Sequence, residues 1–139
     1  MMTRPWHEIV AHYEDYKGDH RSIRALGTLA QRISQSPLVQ GLFAYTHMFD
    51  LDILQREVSY PYDGPFLRLS AISSDQIEFR YVDTWDKAQQ WHRTVDADQA
   101  WPRLIGFLDQ LRWFPTELLE RLSDGIRRSP ESVHLKKTS

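Results

Sequence analysis

A phenol, an imidazole and two carboxylates fall within one short stretch of this chain, as Tyr45, His47, Asp50 and Asp52. A histidine beside carboxylates can be oriented and tuned for proton transfer. This is the best acid–base constellation the sequence offers. Together with Tyr60 and Tyr62, Tyr45 and His47 would line a pocket between a sheet and helices, suited to a small molecule or to hydrolysis. The same residues have a plain structural explanation, with Asp50 in a turn and Asp52 on a solvent-facing strand edge.

Other catalytic chemistry is poorly supplied. There is no Gly-x-Ser-x-Gly elbow for a nucleophilic serine, and Ser73 and Ser74 are explained by a turn. The glycines at 18, 27, 41, 64, 106 and 125 form no phosphate-cradling loop; a P-loop or dinucleotide fold needs one between strand and helix. The six histidines show no His-Glu-x-x-His spacing; Glu8 and His12, four apart, suit an exposed helix pair. Cysteine is absent, which removes disulfides, thiolate metal sites and a cysteine nucleophile. No catalytic residue, metal site or cofactor is therefore assigned.

A second group carries recognition chemistry instead. Arg68, Arg80, Trp91 and Arg93, with His92 among them, combine planar cations with aromatic area, and arginine and tryptophan are favoured interface anchors. Single-stranded nucleic acid would use the same mixture of stacking and charge. Pairing of the arginines with Glu78 and Asp83 on an ordinary solvated face would also account for them, since antiparallel sheets commonly present one.

These residues depend on a β-hairpin. Leu67, Leu69 and Ala71 alternate with Arg68 and Ser70, and Ile77, Phe79 and Tyr81 alternate with Glu78 and Arg80. A period of two sends the apolar set to a core and the other set to the opposite face. Pairing Leu69 with Phe79, or with Tyr81, keeps the apolar sets together, and a slip of one residue would separate them. Arg68 and Arg80 then share the open face.

Around the hairpin, apolar residues at spacings of three and four predict helices over 4–17, with Trp6, Ile9, Val10, Tyr13 and Tyr16, and over 20–35, with Ile23, Leu26, Ala30 and Ile33. Gly27 and Ala30 permit close approach of a neighbour. Strands are expected over 42–46 and 51–58, joined by a turn at 47–50, and Tyr60-Pro61-Tyr62-Asp63-Gly64-Pro65 reads as a loop. Residues 85–95 suit either a strand, with Trp91, Arg93 and Val95 on one face, or a short helix. Two further helices follow, over 98–112 with Trp101, Leu104, Ile105, Leu108 and Leu111, and from Thr116 with Leu118, Leu119, Leu122 and Ile126.

The expected fold is α+β: an antiparallel meander of four or five strands with two N-terminal and two C-terminal helices packed on one face. Residues 1–128 form a single globular domain, and 129–139 a polar, flexible tail. The 139 residues suffice for a sizeable core, and 41% hydrophobic with 26% charged residues is a globular composition. The absence of a long apolar run and of an apolar signal region points to a cytoplasmic protein without membrane contact. A net charge of −2 disfavours general phosphate coating. Five tryptophans and 12% aromatic residues favour packing and partner contact. The leading expectation is a non-catalytic protein-binding module: an adaptor, an inhibitor or an immunity-type partner. The pocket around Tyr45 and His47 is the first alternative, and single-stranded nucleic-acid binding on the Arg68/Arg80 face is the second.

Overall fold

In the computed structural model, residues 3–127 are described. Two helices, a five-stranded antiparallel meander and two further helices follow one another in an α+β fold. The described residues form two compact units that divide after Ala100. The expectation for 129–139 lies outside the described residues.

The first unit opens with α1 (Trp6–Glu14), shorter at both ends than the expected 4–17. The helix α2 (Arg21–Ser34) follows. His20 occupies its cap position and makes no side-chain capping bond. The two helices pack closely where Gly27 meets Tyr13: a Cβ at Gly27 would lie 2.8 Å from the Tyr13 Cβ.

The sheet runs in the order β1 (Phe43–His47), β2 (Asp50–Leu54), β3 (Pro65–Ala71), β4 (Gln76–Asp83) and β5 (Trp91–Asp96). The β3–β4 register pairs Leu69 with Phe79 and Leu67 with Tyr81, the first of the two pairings that alternation allows. Residues 85–95 divide between the two expected states, a 3-10 turn at Lys87–Gln89 and then β5.

One sheet face carries Leu51, Ile53, Leu67, Leu69, Ile77 and Phe79, all fully buried. The helix α1 meets β1, and α2 meets β3 and β4, so the apolar sides of helices and sheet bury one another. Tethers at the sheet's margins fix this arrangement. The Trp6 indole N–H donates to the Leu42 carbonyl at 2.9 Å, and the Ser22 hydroxyl to that of Ser73 at 2.6 Å. Arg4 bridges to Ala44 on the outer side of β1.

The opposite face is not a bare polar surface. The segment between β2 and β3 folds back across it, and Tyr62 and Phe66 bury themselves against Tyr45 and Leu54, with Val58 and Val82 at the margin. The Tyr60–Pro61 peptide bond within this segment is cis.

In the second unit, α3 (Ala100–Gln110) carries the buried residues Trp101, Leu104, Ile105, Phe107 and Leu108. It ends at Gln110, two residues short of the expected end at 112. Arg112 takes a left-handed conformation (φ 60°), and the Trp113 amide returns to the Leu108 carbonyl at 3.0 Å. That six-to-one closure is the usual way a helix terminus satisfies its last carbonyls. The Thr116 hydroxyl, at the start of α4 (Thr116–Arg127), donates to Asp109 at 2.8 Å.

Candidate functional site

Strand pairing places Asp52 between Tyr45 on β1 and Arg68 on β3. The expectation of a solvent-facing Asp52 is wrong: its side chain is fully buried. The reason lies in the folded-back segment, which covers the face to which alternation directs Asp52. A buried carboxylate needs a partner, and Arg68 supplies it through two parallel bonds, Nε to Oδ1 at 2.7 Å and Nη2 to Oδ2 at 2.9 Å. Arg68 is thus not an open-face cation. Its guanidinium also lies 5.4 Å from the Phe66 ring centre. The hydrogen bonds to Asp52 push its pKa above the ordinary arginine value.

The alternative constellation does assemble around this pair. His47 Nε2 lies 3.2 Å from Asp52 Oδ2. The His47 ring meets Tyr45 edge-on at 4.8 Å and Tyr60 at 4.4 Å, while Tyr60 meets Tyr62 and Tyr62 meets Phe66 in further edge contacts. The carboxylate at its centre is closed off. Both Asp52 oxygens are held by a permanent cation, and no reactant reaches a fully buried group. What it does is pin the β2–β3 segment to the sheet.

Burial pushes the Tyr62 phenol well up from its usual pKa near 10, and the Asp52 charge adds to this. Tyr13, whose hydroxyl donates to the Phe49 carbonyl at 2.9 Å, is raised by burial and then by Asp50 and Asp52. Both phenols keep their protons in the folded protein, whereas the unfolded chain loses them near pH ~10. The unfolded state then binds fewer protons than the native state, so the contribution of these two phenols is level below about pH 10 and stability falls above it. A series of urea unfolding curves from neutral to alkaline pH is expected to show that fall. A flat profile through about pH 11 would contradict the assigned burial.

The second group is brought together only in part. Arg80 faces Arg68 across β3 and faces His92 across β5, whereas Trp91 pairs with Tyr81 and Arg93 with Phe79. Trp91 and Arg93 therefore belong to the opposite side of the sheet from Arg68 and Arg80, and one four-residue patch is not formed. Like charges at Arg68 and Arg80 are tolerated because each has an acid: Arg68 has Asp52, and Arg80 approaches Glu78 at 4.0 Å. His92 also approaches Glu78, at 3.7 Å. Across the strand, the Arg93 guanidinium lies 5.3 Å from the Trp91 ring and donates to the His92 carbonyl at 2.9 Å, and Trp91 stacks on Tyr81 at 5.8 Å. A shallow depression of about 370 Å³ opens here, lined by Arg80, Tyr81, Lys87, Trp91 and His92 among others.

Comparison with family models, curated proteins and solved structures gave no match.

One residue that sequence reasoning did not single out belongs with these. Trp85 is 66% exposed although it is firmly tethered. Its backbone amide donates to Asp83 Oδ1 and its indole N–H to Asp63 Oδ1, both at 2.9 Å. The Arg56 guanidinium lies 5.2 Å from the ring centre. The signal was Asp-Gly at 63–64 and Thr-Trp-Asp at 84–86, two loops that read independently until the fold joins them. Among the described residues, no group of three or more His, Cys, Asp or Glu could hold a metal ion, and no helix is long and apolar enough to cross a membrane.

Proposed function

We propose that this chain is a non-catalytic protein-binding module, of adaptor, inhibitor or immunity type, that engages its partner through the β4–β5 margin of the sheet. The observation that carries this reading is the exposure of Arg80 on β4 and of His92 and Arg93 on the two sides of the edge strand β5, next to the Trp91–Tyr81 stack. An aromatic pair with a guanidinium stacked on it, at a sheet edge that carries further exposed cations, has the composition protein interfaces favour. The enclosure of Asp52 argues against a reactive or ligand-accepting site at Tyr45 and His47. The division of the cations between two sheet faces, Arg80 and His92 on one and Arg93 on the other, argues against a single strand of nucleic acid, which tracks one continuous groove.

The test is co-purification from the native host with wild-type protein and with an Arg80→Ala/His92→Ala/Arg93→Ala variant. A protein retained by the wild type and lost by the folded variant should, once purified, bind with an affinity reduced by about 1–3 kcal/mol. Its dependence on salt should be modest. A steep linear loss of log affinity with log salt, or recovery of nucleic acid alone, would replace this reading with the nucleic-acid one. A partner that binds the variant as tightly as wild type would remove the β4–β5 margin from the interface.

A further inference from the structure

Tryptophan is among the most buried residues on average, and Trp6 and Trp101 follow that rule here at 8% and 6% exposure. Trp85 breaks it while being held in one place. Besides the two bonds to Asp83 and Asp63, the ring is backed by Gly64, where a Cβ would lie 2.9 Å from Cη2 and Cζ2. Gly64 has φ +100°, a conformation open to glycine, and its amide donates to the Thr84 hydroxyl at 2.6 Å. Thr84 in turn donates to Asp63 Oδ1 at 3.2 Å. The Asp83 carboxylate also accepts from the Asp86 amide at 3.0 Å, which closes the loop around the tryptophan. A mobile loop would let the indole collapse inward. This one holds it outward, so little conformational freedom is lost when a ligand covers the ring.

The surroundings select the charge of that ligand. The face of an indole is electron-rich, and hydrogen bonding of its N–H to a carboxylate enriches it further. Asp63 and Asp86 are exposed beside it. Asp83, buried beneath the loop, adds a third acid, and Arg56 is the cation that a direct contact places at the ring. The ring already accepts one guanidinium, that of Arg56, from its own chain.

We propose that Trp85, flanked by Asp63 and Asp86, is a receiving site for an arginine or lysine side chain of a protein partner. The cation covers the exposed part of the indole and is neutralised by the two carboxylates, in the manner of other cation–π sites. This inference rests on the reading that the partner is a protein, but not on the β4–β5 margin as its contact.

The test uses the full chain labelled with ¹⁵N, with hexa-arginine as probe and the Trp85 indole N–H and Gly64 amide as reporters. Saturable shifts at both are expected. They should shrink in Asp63→Asn, and Trp85→Ala should lower the affinity about tenfold, the loss of one desolvated cation–π contact. Trp85→Phe, which keeps an aromatic face, should retain part of it. Hexa-glutamate and oligothymidine should leave both reporters unmoved. The proposal fails if hexa-arginine shifts only other residues, if Trp85→Ala binds it equally well, or if hexa-glutamate or oligothymidine moves the Trp85 signal instead. Native dispersion of the remaining amides in Trp85→Ala excludes unfolding as the cause of lost binding. Because the peptide titration involves neither Arg80, His92 nor Arg93, its failure is separate from failure of the β4–β5 interface.

Discussion

Replacing Asp52 by alanine is expected to destabilise the protein by about 3–5 kcal/mol, the cost of leaving one half of a buried ion pair without its partner. The carboxylate is fully buried and holds the Arg68 guanidinium by two bonds of 2.7 and 2.9 Å. Without it, Arg68 must remain beneath Phe66 unpaired or tear the β2–β3 segment from the sheet to reach water. Arg68→Ala should cost a similar amount, because the buried carboxylate then loses both bonds to its permanent cation. Removing both charges is a different matter. The Asp52→Leu/Arg68→Met pair replaces two desolvated ions with apolar groups in an already aromatic setting, and such exchanges are often neutral or stabilising. The double variant should therefore recover most of the stability that either single truncation loses, in urea unfolding at neutral pH. Losses below about 1 kcal/mol for both single variants would mean that the pair is solvated and the covering segment open. The same reasoning bears on function: a binding defect in an Arg68 variant would first have to be separated from unfolding, whereas Arg80 is exposed and free of that difficulty.

What could be read from residues alone divides along physical lines. The β3–β4 register was legible because two apolar sets of period two meet across a short turn, and a slip would expose one of them. The helices were legible from their stripes, to within a few residues at the ends. Asp52 was expected on a solvent-facing strand edge, but the face it occupies, opposite Leu51 and Ile53, is covered. Its cover comes from Tyr62 and Phe66, on a segment whose prolines and Asp-Gly announce only a loop. The density of aromatics in that loop was the available signal, since three tyrosines and phenylalanines between 60 and 66 are more than a solvated connection needs. Arg68 could not be matched to Asp52 because ten residues separate β2 from β3, and a connection of that length fixes no register. Trp91 and Arg93 were placed correctly relative to each other, on one face with Val95. Their side relative to Arg80 depends on how β5 meets β4 across a seven-residue connection that contains a 3-10 turn. Trp85 was hidden for a similar reason: Asp63, which holds its indole N–H, is 22 positions away.

Phe79→Ala should cost about 3–5 kcal/mol, the range for deleting a fully buried large aromatic and leaving a cavity that its neighbours only partly fill. Phe79 is 0% exposed, is paired with Leu69 on β3 and belongs to a strand hydrogen-bonded on both sides. Neither strand can shift inward without breaking the other ladder, so little relaxation is available. The more telling result is the pattern along β4. Ile77, also 0% exposed, should be costly to truncate, Tyr81 less so because it is only half-buried, and Arg80→Ala should change stability by no more than about 0.5 kcal/mol, as exposed positions do. A period of two in the measured losses would establish that the strand has a committed core side. A uniform profile, or a Phe79→Ala loss below about 1 kcal/mol, would remove the register and with it the assignment of Arg80 and His92 to one face and Trp91 and Arg93 to the other. Arg80 is thus the control for the fold and the probe for the interface: a substitution that leaves stability alone and weakens partner binding isolates recognition from folding at the one strand where the two meet.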